Sequence, residues 1–236
     1  MGEFVIYETD ERMFYLKRLL TGLRPLVNTH IFAPNLTLTA ERLERVGEGE
    51  MLICGKLDEK AAELASQKGV KVRYLMSDEK FMAKNALLTA EATLALIIDH
   101  SMLSLARMKV LVIGFGRTGA ALVRLLDRLA VDFDIATSSV RPAAAFATRV
   151  TSASSVDLAE YDVIVNTAPE KLISDARALA MRPDAVYIDL ASRPAVDIAM
   201  LRNLGLDAGI YPALPAKCSP ESAAEAMKDF VLEVTA

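Results

Sequence analysis

The feature that most constrains the fold of this chain is a short apolar run that leads directly into a glycine-rich turn. The run Lys109–Ile113 is followed by Gly114, Phe115, Gly116, Arg117, Thr118 and Gly119. In such a G-x-G-x-x-G pattern the first glycine permits a sharp turn, the second lets the backbone approach a diphosphate, and the third lets the next helix pack closely on the strand. An apolar helix is predicted over Ala120–Leu129 and a second strand over Val131–Ala136. This context predicts a dinucleotide-binding site; the alternative is a glycine-rich turn that binds nothing.

The residues after the second strand indicate which dinucleotide is bound. They include Thr137, Ser138, Ser139 and Arg141, and no acidic residue stands at the strand tip. NAD sites usually carry an acidic residue about 20 positions beyond the glycine pattern, bonded to the ribose 2′-hydroxyl. Hydroxyls and a guanidinium suit a 2′-phosphate, which a carboxylate would repel. We therefore favour NADP over NAD, with an ordinary polar loop as the alternative.

Length and composition limit the class of protein. The chain has 236 residues, of which 53% are apolar, and a net charge of −4. This size suits one large or two modest domains with a sizeable core, and the charge argues against a nucleic-acid-binding surface. Cys54 and Cys218 stand in no paired motif, and neither His30 nor His100 has a ligand partner at a recognised spacing. We therefore expect a cytoplasmic protein without a metal site.

A membrane location is not expected. The N-terminus lacks the charged-then-apolar layout of a signal peptide. The longest apolar stretch, around Ala86–Ile98, is interrupted by Glu91 and is shorter than a membrane span requires.

The alternation of strands and helices predicts an α/β protein with two domains. We expect a C-terminal doubly wound Rossmann domain over residues 108–218 and a smaller N-terminal parallel α/β domain over residues 1–84 that serves a substrate or partner. A connecting helix is predicted over 85–107, and the last helix, 219–236, is expected to return to the N-terminal domain. Further strands are predicted over Phe4–Tyr7, Asn28–Phe32, Met51–Cys54, Val70–Leu75, Asp162–Asn166, Ala185–Leu190 and Asp207–Ile210. Helices are predicted over Asp10–Leu20, Thr39–Val46, Leu57–Lys68, Ala143–Ala147, Ile173–Ala180, Asp197–Asn203 and Pro220–Val234, with the longest between Ser77 and Arg107.

Loops that follow strands are the expected place for ligands, because open α/β sheets bind them beyond the carboxyl ends of their strands. Three such loops are predicted to line a crevice between the domains. They are Asn166-Thr167-Ala168-Pro169, Ala191-Ser192-Arg193-Pro194 and the stretch from Pro212 to Lys217. The first of them is assigned to the cofactor.

Polar residues in both domains are candidates for chemistry, and each has a structural alternative. They are Asp10, Arg12, Lys84, Asn85, Thr89, Glu91, Ser192, Arg193 and Lys217. Asp10 could instead cap its helix, and Asn85 could be a loop or capping residue. Glu91 interrupts an apolar helix, so it should be paired or face a cleft. Lys217 could bind a substrate carboxylate or merely cover apolar surface with its stem.

Several segments together resemble one family, that of the dipicolinate synthase A-subunit. The segments are Thr9–Arg12, Asn85–Glu91 (N-x-x-x-T-A-E), Val112–Gly119, Asn166–Pro169, Ile188–Pro194 and Leu214–Ala223. The resemblance covers nearly the whole chain, and the order and spacing of the segments are more specific than any one of them.

The resemblance implies an NADP-dependent oxidation of a hydroxylated tetrahydrodipicolinate to dipicolinate (pyridine-2,6-dicarboxylate) in a spore-forming bacterium, as a branch of the lysine pathway. It implies that the partner is a second, flavoprotein-like B-subunit, and we expect a homo-oligomer. For the dicarboxylate it suggests substrate contacts by Arg12, Asn85, Thr89, Arg193 and Lys217. Glu91 or Asp10 is suggested for proton transfer, with Ser192 as a further catalytic candidate.

Two other functions stay open on the sequence alone. One is another two-domain NADP-dependent dehydrogenase, of the shikimate, methylenetetrahydrofolate or 2-hydroxy-acid type. The 2-hydroxy-acid type would want a catalytic histidine in the late loops, where neither His30 nor His100 lies. The other is a nucleotide-binding protein without turnover.

Overall fold

The computed structural model describes residues 1–138, 144–191 and 193–235, and the chain folds into two compact units. Unit 1 comprises Met1–Leu88 and Ala213–Ala236, and unit 2 comprises Thr89–Pro212. The sequence placed the last boundary at residue 218. The structure instead places the whole stretch from Ala213 onward, with Lys217, in unit 1.

The described residues form twelve strands and eight α-helices. The strands are β1 (Phe4–Ile6), β2 (Thr29–Ile31), β3 (Thr37–Leu38), β4 (Met51–Cys54), β5 (Lys56–Leu57), β6 (Lys71–Tyr74), β7 (Lys109–Ile113), β8 (Asp132–Thr137), β9 (Val150–Ser152), β10 (Val163–Asn166), β11 (Val186–Asp189) and β12 (Asp207–Ile210). The helices are α1 (Glu11–Leu19), α2 (Glu59–Gln67), α3 (Glu79–His100), α4 (Arg117–Arg128), α5 (Asp175–Ala178), α6 (Ile198–Asn203), α7 (Leu214–Cys218) and α8 (Pro220–Thr235). Short 3₁₀ turns occupy Ala40–Leu43, Leu75–Ser77, Ala144–Arg149 and Leu158–Glu160.

Unit 1 is built on a parallel sheet in the order β1-β2-β4-β6, with β3 and β5 as a separate parallel pair. Successive residues of a strand point to opposite faces of the sheet. Ile53 of β4 therefore lies in one buried cluster with Met13 of α1 and Met227 of α8. Its neighbour Leu52 lies in a second cluster, with Ala61 of α2. Helices on both faces are what buries a parallel sheet.

Unit 2 is built on a parallel sheet of six strands in the order β9-β8-β7-β10-β11-β12. Numbered within the unit this is 3-2-1-4-5-6, the order of a doubly wound Rossmann sheet, with the reversal between β7 and β10. Val112 of β7 lies in a cluster with Leu122 of α4, whereas Leu111 lies on the other face with Leu201 of α6. The predicted fold class is therefore confirmed for both units.

Some short elements differ from the sequence predictions. The segments Thr39–Val46 and Ala143–Ala147 were predicted as helices, but the structure has 3₁₀ turns over Ala40–Leu43 and Ala144–Arg149 (residue 143 is not among those described). Helical segments this short are marginal without a packed apolar face. The tail loop predicted before Pro220 contains α7, and strands β3, β5 and β9 were not predicted. Strands of two or three residues are too short to show an alternating pattern.

The long helix α3 corrects the expectation about membrane spans. By length and composition alone, its 22 residues could cross a membrane. The expectation that the apolar stretch around Ala86–Ile98 is too short for a membrane span is therefore wrong. One third (33%) of its most apolar window is buried. Ala90 and Ile97 of this helix lie in a core of unit 2, and long core helices of soluble proteins are apolar on most sides too.

Candidate functional site

The glycine turn of unit 2 has the geometry that its sequence predicted. Gly114 has a φ of 92°, a left-handed conformation that side chains rarely adopt. A Cβ at this position would also lie 2.9 Å from Thr167 Oγ1. The Gly114 amide donates to the carbonyl oxygen of Ala136 at 2.8 Å, so the turn is fixed against the end of β8.

The other two glycines act on opposite sides of the same turn. A Cβ on Gly119 would collide with the carbonyl oxygen of Gly114 and lie 2.9 Å from Thr167 Oγ1, so Gly119 is required for packing within the protein. A Cβ on Gly116 would meet no atom of the described residues within 4 Å. Within this part of the chain, the space beside Gly116 is open to a ligand.

Helix α4 begins at Arg117, earlier than the predicted Ala120, so Arg117, Thr118 and Gly119 form its first turn. Its N-cap, Gly116, offers no side-chain cap. The first amide groups of a helix have no partner within the helix and carry the positive end of the helix dipole. This combination provides a site for a diphosphate.

Thr167, a predicted cofactor residue, has a structural role at this turn. Its amide donates to the carbonyl oxygen of Ile113 at 2.8 Å, and its hydroxyl donates to the same oxygen at 2.9 Å. The adjacent Ala168 is buried and Pro169 is exposed, while Phe115 packs partly buried against the core beside α4. The loop after β10 therefore holds the glycine turn as well as lying beside it.

The residues assigned to the ribose end of the coenzyme follow or end β8. Thr137 is half-buried and Ser138 is exposed there, whereas Ser139 and Arg141 lie outside the described residues. The acid 20 positions after Gly114, Asp134, is in the middle of β8 and pairs in register with Leu111. It accepts a hydrogen bond from the Tyr161 hydroxyl at 2.9 Å and lies 3.3 Å from Lys109 Nζ. Burial and this carboxylate raise the pKa of Tyr161. Asp134 is therefore engaged within the sheet and does not supply a strand-tip carboxylate.

A second candidate site lies in unit 1, beyond the carboxyl ends of β1 and β2. It is a cavity of about 470 Å³. Its lining combines polar and apolar side chains: Thr9, Asp10, Glu11, Asn35, Leu36, Ala213, Ala216 and Lys217. Two of these residues, Asp10 and Lys217, were predicted site residues, and they come from near the opposite ends of the sequence.

Arg12 is a buried cation that bonds to two of the residues lining this cavity. Its side chain is 2% exposed, and its Nη2 donates to Asp10 Oδ2 at 2.7 Å and to Asn35 Oδ1 at 2.6 Å. Its Nε is buried without a hydrogen-bond partner among the described residues. A buried donor without a partner costs free energy unless something else binds it. The arrangement therefore fits an anionic ligand.

Asp10 serves both the helix and the arginine. Its Oδ1 accepts from the Met13 amide at 3.3 Å, which is the predicted N-cap of α1, and its Oδ2 accepts from Arg12. Both carboxylate oxygens are thus engaged. Asn35, which holds Arg12 from the other side, was missed by the sequence analysis; its position directly after a buried strand was the available signal.

The remaining predicted residues divide between the two units. Asn85 is half-buried on the part of α3 that belongs to unit 1. Thr89, Glu91 and Arg193 belong to unit 2, and Ser192 lies outside the described residues. Glu91 and Arg193 are exposed. Glu91 was expected to be paired or to face a cleft, but no ion pair or hydrogen bond of its side chain occurs within the described part of the chain.

The two histidines are held by other side chains. His30 Nε2 lies 2.8 Å from Glu50 and its Nδ1 lies 3.0 Å from the Tyr7 hydroxyl. His100 Nδ1 lies 2.7 Å from Asp207 and its Nε2 lies 2.9 Å from Tyr211. Across residues 1–138, 144–191 and 193–235, no three His, Cys, Asp or Glu side chains come together in a way that could hold a metal ion.

The sheet order, the glycine turn and the uncapped start of α4 define a nicotinamide-dinucleotide-binding fold. Residues 95–204 match the family model of the D-isomer specific 2-hydroxyacid dehydrogenase NAD-binding domain. The match and the geometry confirm the predicted class, an oxidoreductase of the dehydrogenase type.

The chain as a whole is similar to the dipicolinate synthase A-subunit, which its motifs predicted. It is 24% identical over 221 residues to that protein of Bacillus subtilis (strain 168). The aligned region covers 89% of this chain and 73% of the relative. The crystal structure of the dipicolinate synthase A-subunit from Bacillus halodurans has a TM-score of 0.83 at 18% identity, covering 100% of this chain and 97% of that one. The fold is shared more widely: the apo-structure of D-lactate dehydrogenase from Escherichia coli has a TM-score of 0.64 at 13% identity, covering 99% of this chain and 96% of that one.

Proposed function

We propose that this chain oxidises a hydroxylated tetrahydrodipicolinate to dipicolinate with NADP as the oxidant. The reaction removes one water, then one hydride to the coenzyme and one proton to the protein or solvent, which leaves the aromatic pyridine-2,6-dicarboxylate. The coenzyme supplies the hydride acceptor. The protein must bind both carboxylates, orient the ring and take the proton.

The observation that carries the proposal is the cation arrangement at the unit 1 cavity. Arg12 is held by Asp10 and Asn35 with its Nε unpartnered among the described residues. Asp10 and Asn35 line the cavity together with the exposed Lys217. A cavity of about 470 Å³ is within the range of small-molecule sites. Two cations suit two carboxylates, which is the chemistry that the name of the similar proteins implies.

For the coenzyme we propose NADP, bound at the start of α4. The hydroxyls of Thr137, Ser138 and Ser139 with the guanidinium of Arg141 would hold the 2′-phosphate. Asp134 supports this preference, because it lies in mid-strand and is not a carboxylate at the tip of β8, where the described residues are Thr137 and Ser138. Replacing Arg141 with Ala should weaken NADPH binding at least tenfold while leaving NADH binding within about twofold, since only the former carries the phosphate.

For proton transfer we assign Glu91 in preference to Asp10. Both carboxylate oxygens of Asp10 already accept hydrogen bonds, one from the first turn of α1 and one from Arg12, so we assign Asp10 to positioning Arg12. Glu91 is exposed, and its carboxylate accepts no hydrogen bond from the described residues. Arg193, also exposed, is proposed to bind a substrate carboxylate together with Asn85 and Thr89, and Ser192 is proposed to assist.

The biological setting follows from the same proposal. We propose that the protein works in the cytoplasm of the mother cell of a spore former, as a homo-oligomer, with a flavoprotein of the dipicolinate synthase B-subunit type for its partner. No nucleic acid or membrane is required.

A 2-hydroxy-acid dehydrogenase is the second candidate, favoured by the family match over residues 95–204. Against it, His30 is buried in β2 with Glu50 and Tyr7, and His100 is bound by Asp207 and Tyr211. Neither histidine lies in a late loop of the Rossmann unit, where this chemistry would need a base.

A coupled assay tests the proposal. Aspartate semialdehyde, pyruvate and their condensing enzyme are supplied with this chain and NADP, with and without the flavoprotein partner, and dipicolinate is followed by its absorbance. Lys217→Ala and Arg193→Ala should each raise KM at least tenfold, whereas Lys60→Ala, an exposed lysine of α2, should leave KM unchanged. Oxidation of D-lactate in place of dipicolinate formation would favour the second candidate, and wild-type KM in both charge variants would place the substrate elsewhere.

A further inference from the structure

Asp189, at the end of β11, is a fully buried carboxylate that the proposed function does not use. Its exposure is 0%. Its Oδ1 accepts hydrogen bonds from Asn166 Nδ2 at 3.1 Å and from the Ala191 amide at 2.9 Å. Its Oδ2 accepts from the Tyr187 hydroxyl at 3.0 Å and from the Ala195 amide at 2.9 Å. All four donors are neutral, and within the described residues no cation pairs with this carboxylate.

Such a group is costly to bury. An ionised carboxylate in the interior needs several hydrogen bonds or a counter-charge to offset the lost hydration. An apolar residue at the end of β11 would avoid this cost and extend the apolar pattern of the strand. Burial, and after it the charge of Asp189, raises the pKa of the neighbouring Tyr187.

The four donors show what the carboxylate holds. Ala191 and Ala195 lie on the two sides of Arg193, in the loop that follows β11. The Arg193 side chain itself is exposed. Asn166 ends β10, and its amide donates to the carbonyl oxygen of Ala168 at 3.1 Å while its Oδ1 accepts from the Ala168 amide at 3.3 Å. One carboxylate therefore fixes the loop that carries Arg193 and, through Asn166, the loop that carries Thr167.

We propose that Asp189 is a positioning residue that holds Ala191 and Ala195, on the two sides of Arg193, and thereby presents Arg193 to a substrate carboxylate. The part concerning the substrate rests on the proposed function, whereas the part concerning the loop stands on the hydrogen bonds alone. Asp189 does not touch the reacting atoms; it acts through Arg193.

Asp189→Asn is the sharpest variant, because it keeps the shape of the side chain. An amide can still accept on one side, but on the other side its NH₂ group must face a backbone amide, that of Ala195 or that of Ala191, donor against donor. Hydrogen exchange followed by mass spectrometry should show residues 191–196 exchanging roughly tenfold faster than in the wild type. Tyr187→Phe removes only one donor and should accelerate exchange less. Asp127→Asn, an exposed aspartate of α4, is the matched control and should change nothing.

A thermodynamic cycle with Arg193 provides the functional readout. In the dipicolinate assay Asp189→Asn should lower kcat/KM roughly tenfold, mainly through KM, and the Kd for NADPH should change less than the KM does. In the Arg193→Ala background the same substitution should have almost no further effect, because two residues that act through one contact are not additive.

The two claims fail differently. If the wild type forms no dipicolinate, the proposed function is refuted, and the exchange rates still decide the role of Asp189 in the loop. If the wild type is active but Asp189→Asn has wild-type exchange at 191–196, the loop is fixed by something else and the inference is overturned. Full additivity with Arg193→Ala would overturn it as well, since Asp189 would then act independently of Arg193.

Discussion

The two candidate sites are held together in different ways. The turn at the start of α4 is defined by backbone: a left-handed Gly114, a Gly119 with no room for a Cβ, and amide groups without a cap. The unit 1 cavity is defined by side chains, in which Asp10 and Asn35 hold Arg12. Backbone geometry tolerates almost no substitution but can bind any ligand with the same phosphates, whereas a side-chain cavity can change its ligand one residue at a time.

The largest effect should come from Gly119→Ala. Its Cβ would meet the Gly114 carbonyl oxygen and Thr167 Oγ1, so α4 must shift away from β7. We expect a loss of about 3 kcal/mol in the free energy of unfolding, the upper range for overpacking, together with loss of coenzyme binding. Urea unfolding followed by circular dichroism measures the change in the free energy of unfolding. A variant as stable as the wild type would mean that the turn is not as tight as described.

Gly116→Ala tests coenzyme affinity separately from the stability of the protein. The added Cβ meets no atom within 4 Å among the residues that the structure describes, so stability should stay within about 0.5 kcal/mol of the wild type. Coenzyme affinity should nevertheless fall at least tenfold, because the methyl group takes the space through which a diphosphate approaches. Calorimetric titration with NADPH measures it, and unchanged affinity would place the diphosphate elsewhere.

Arg12→Lys tests the side-chain site. A lysine keeps the charge but lacks the planar fork, so its compact ammonium group cannot reproduce the fixed geometry in which Arg12 holds Asp10 and Asn35 and presents its Nε. We expect roughly a tenfold weaker Kd for pyridine-2,6-dicarboxylate with coenzyme affinity unchanged. Arg24→Lys, at an exposed ion pair with Glu3, is the matched control. Equal loss of both affinities in Arg12→Lys would point to a general folding defect.

The difference between the sites also explains what the sequence could predict. The three glycines of the turn stand within six positions of one another, so Gly114, Gly116 and Gly119 could be assigned from local pattern alone. The cavity brings Lys217 beside Asp10 and Asn35, which no periodicity connects. Asn35 was therefore missed, and Lys217 was assigned to the wrong unit.

The positions of the longer elements were predicted better than the roles of the polar residues that they carry. The strands of both sheets except β9 were found, because continuous apolar runs mark buried parallel strands. Asp189 was passed over although an acid at the end of such a run needs partners inside the protein. Its four donors come from the chain between Asn166 and Ala195, and only the folded sheet brings them together.

The smallest expected effect concerns pH, and it belongs to unit 1. Burial raises the pKa of Glu50, but the hydrogen bonds from Asn28, Gly47 and His30 together lower it by more, so the pKa of Glu50 lies below its ordinary value. A carboxylate with a depressed pKa stabilises the fold at pH values above its ordinary value of 4.5, and this contribution is lost as the pH falls through the lowered pKa.

Glu50→Gln should therefore cost about 1 kcal/mol at pH 7, and the difference from the wild type should shrink below pH 4.5. Thermal unfolding between pH 3 and 7 measures it, with Glu41→Gln as the exposed control. A difference that stays constant across this range would mean that the charge of Glu50 contributes nothing.

The central claim is that a nicotinamide coenzyme binds with its diphosphate at the first turn of α4. A crystal structure of the chain grown with NADP tests it most directly. We predict that diphosphate oxygens accept hydrogen bonds from the backbone amides that follow Gly114, with the 2′-phosphate beyond the tip of β8. Coenzyme bound away from that turn, or side chains of the protein filling the space beside Gly116 in crystals saturated with NADP, would contradict the account.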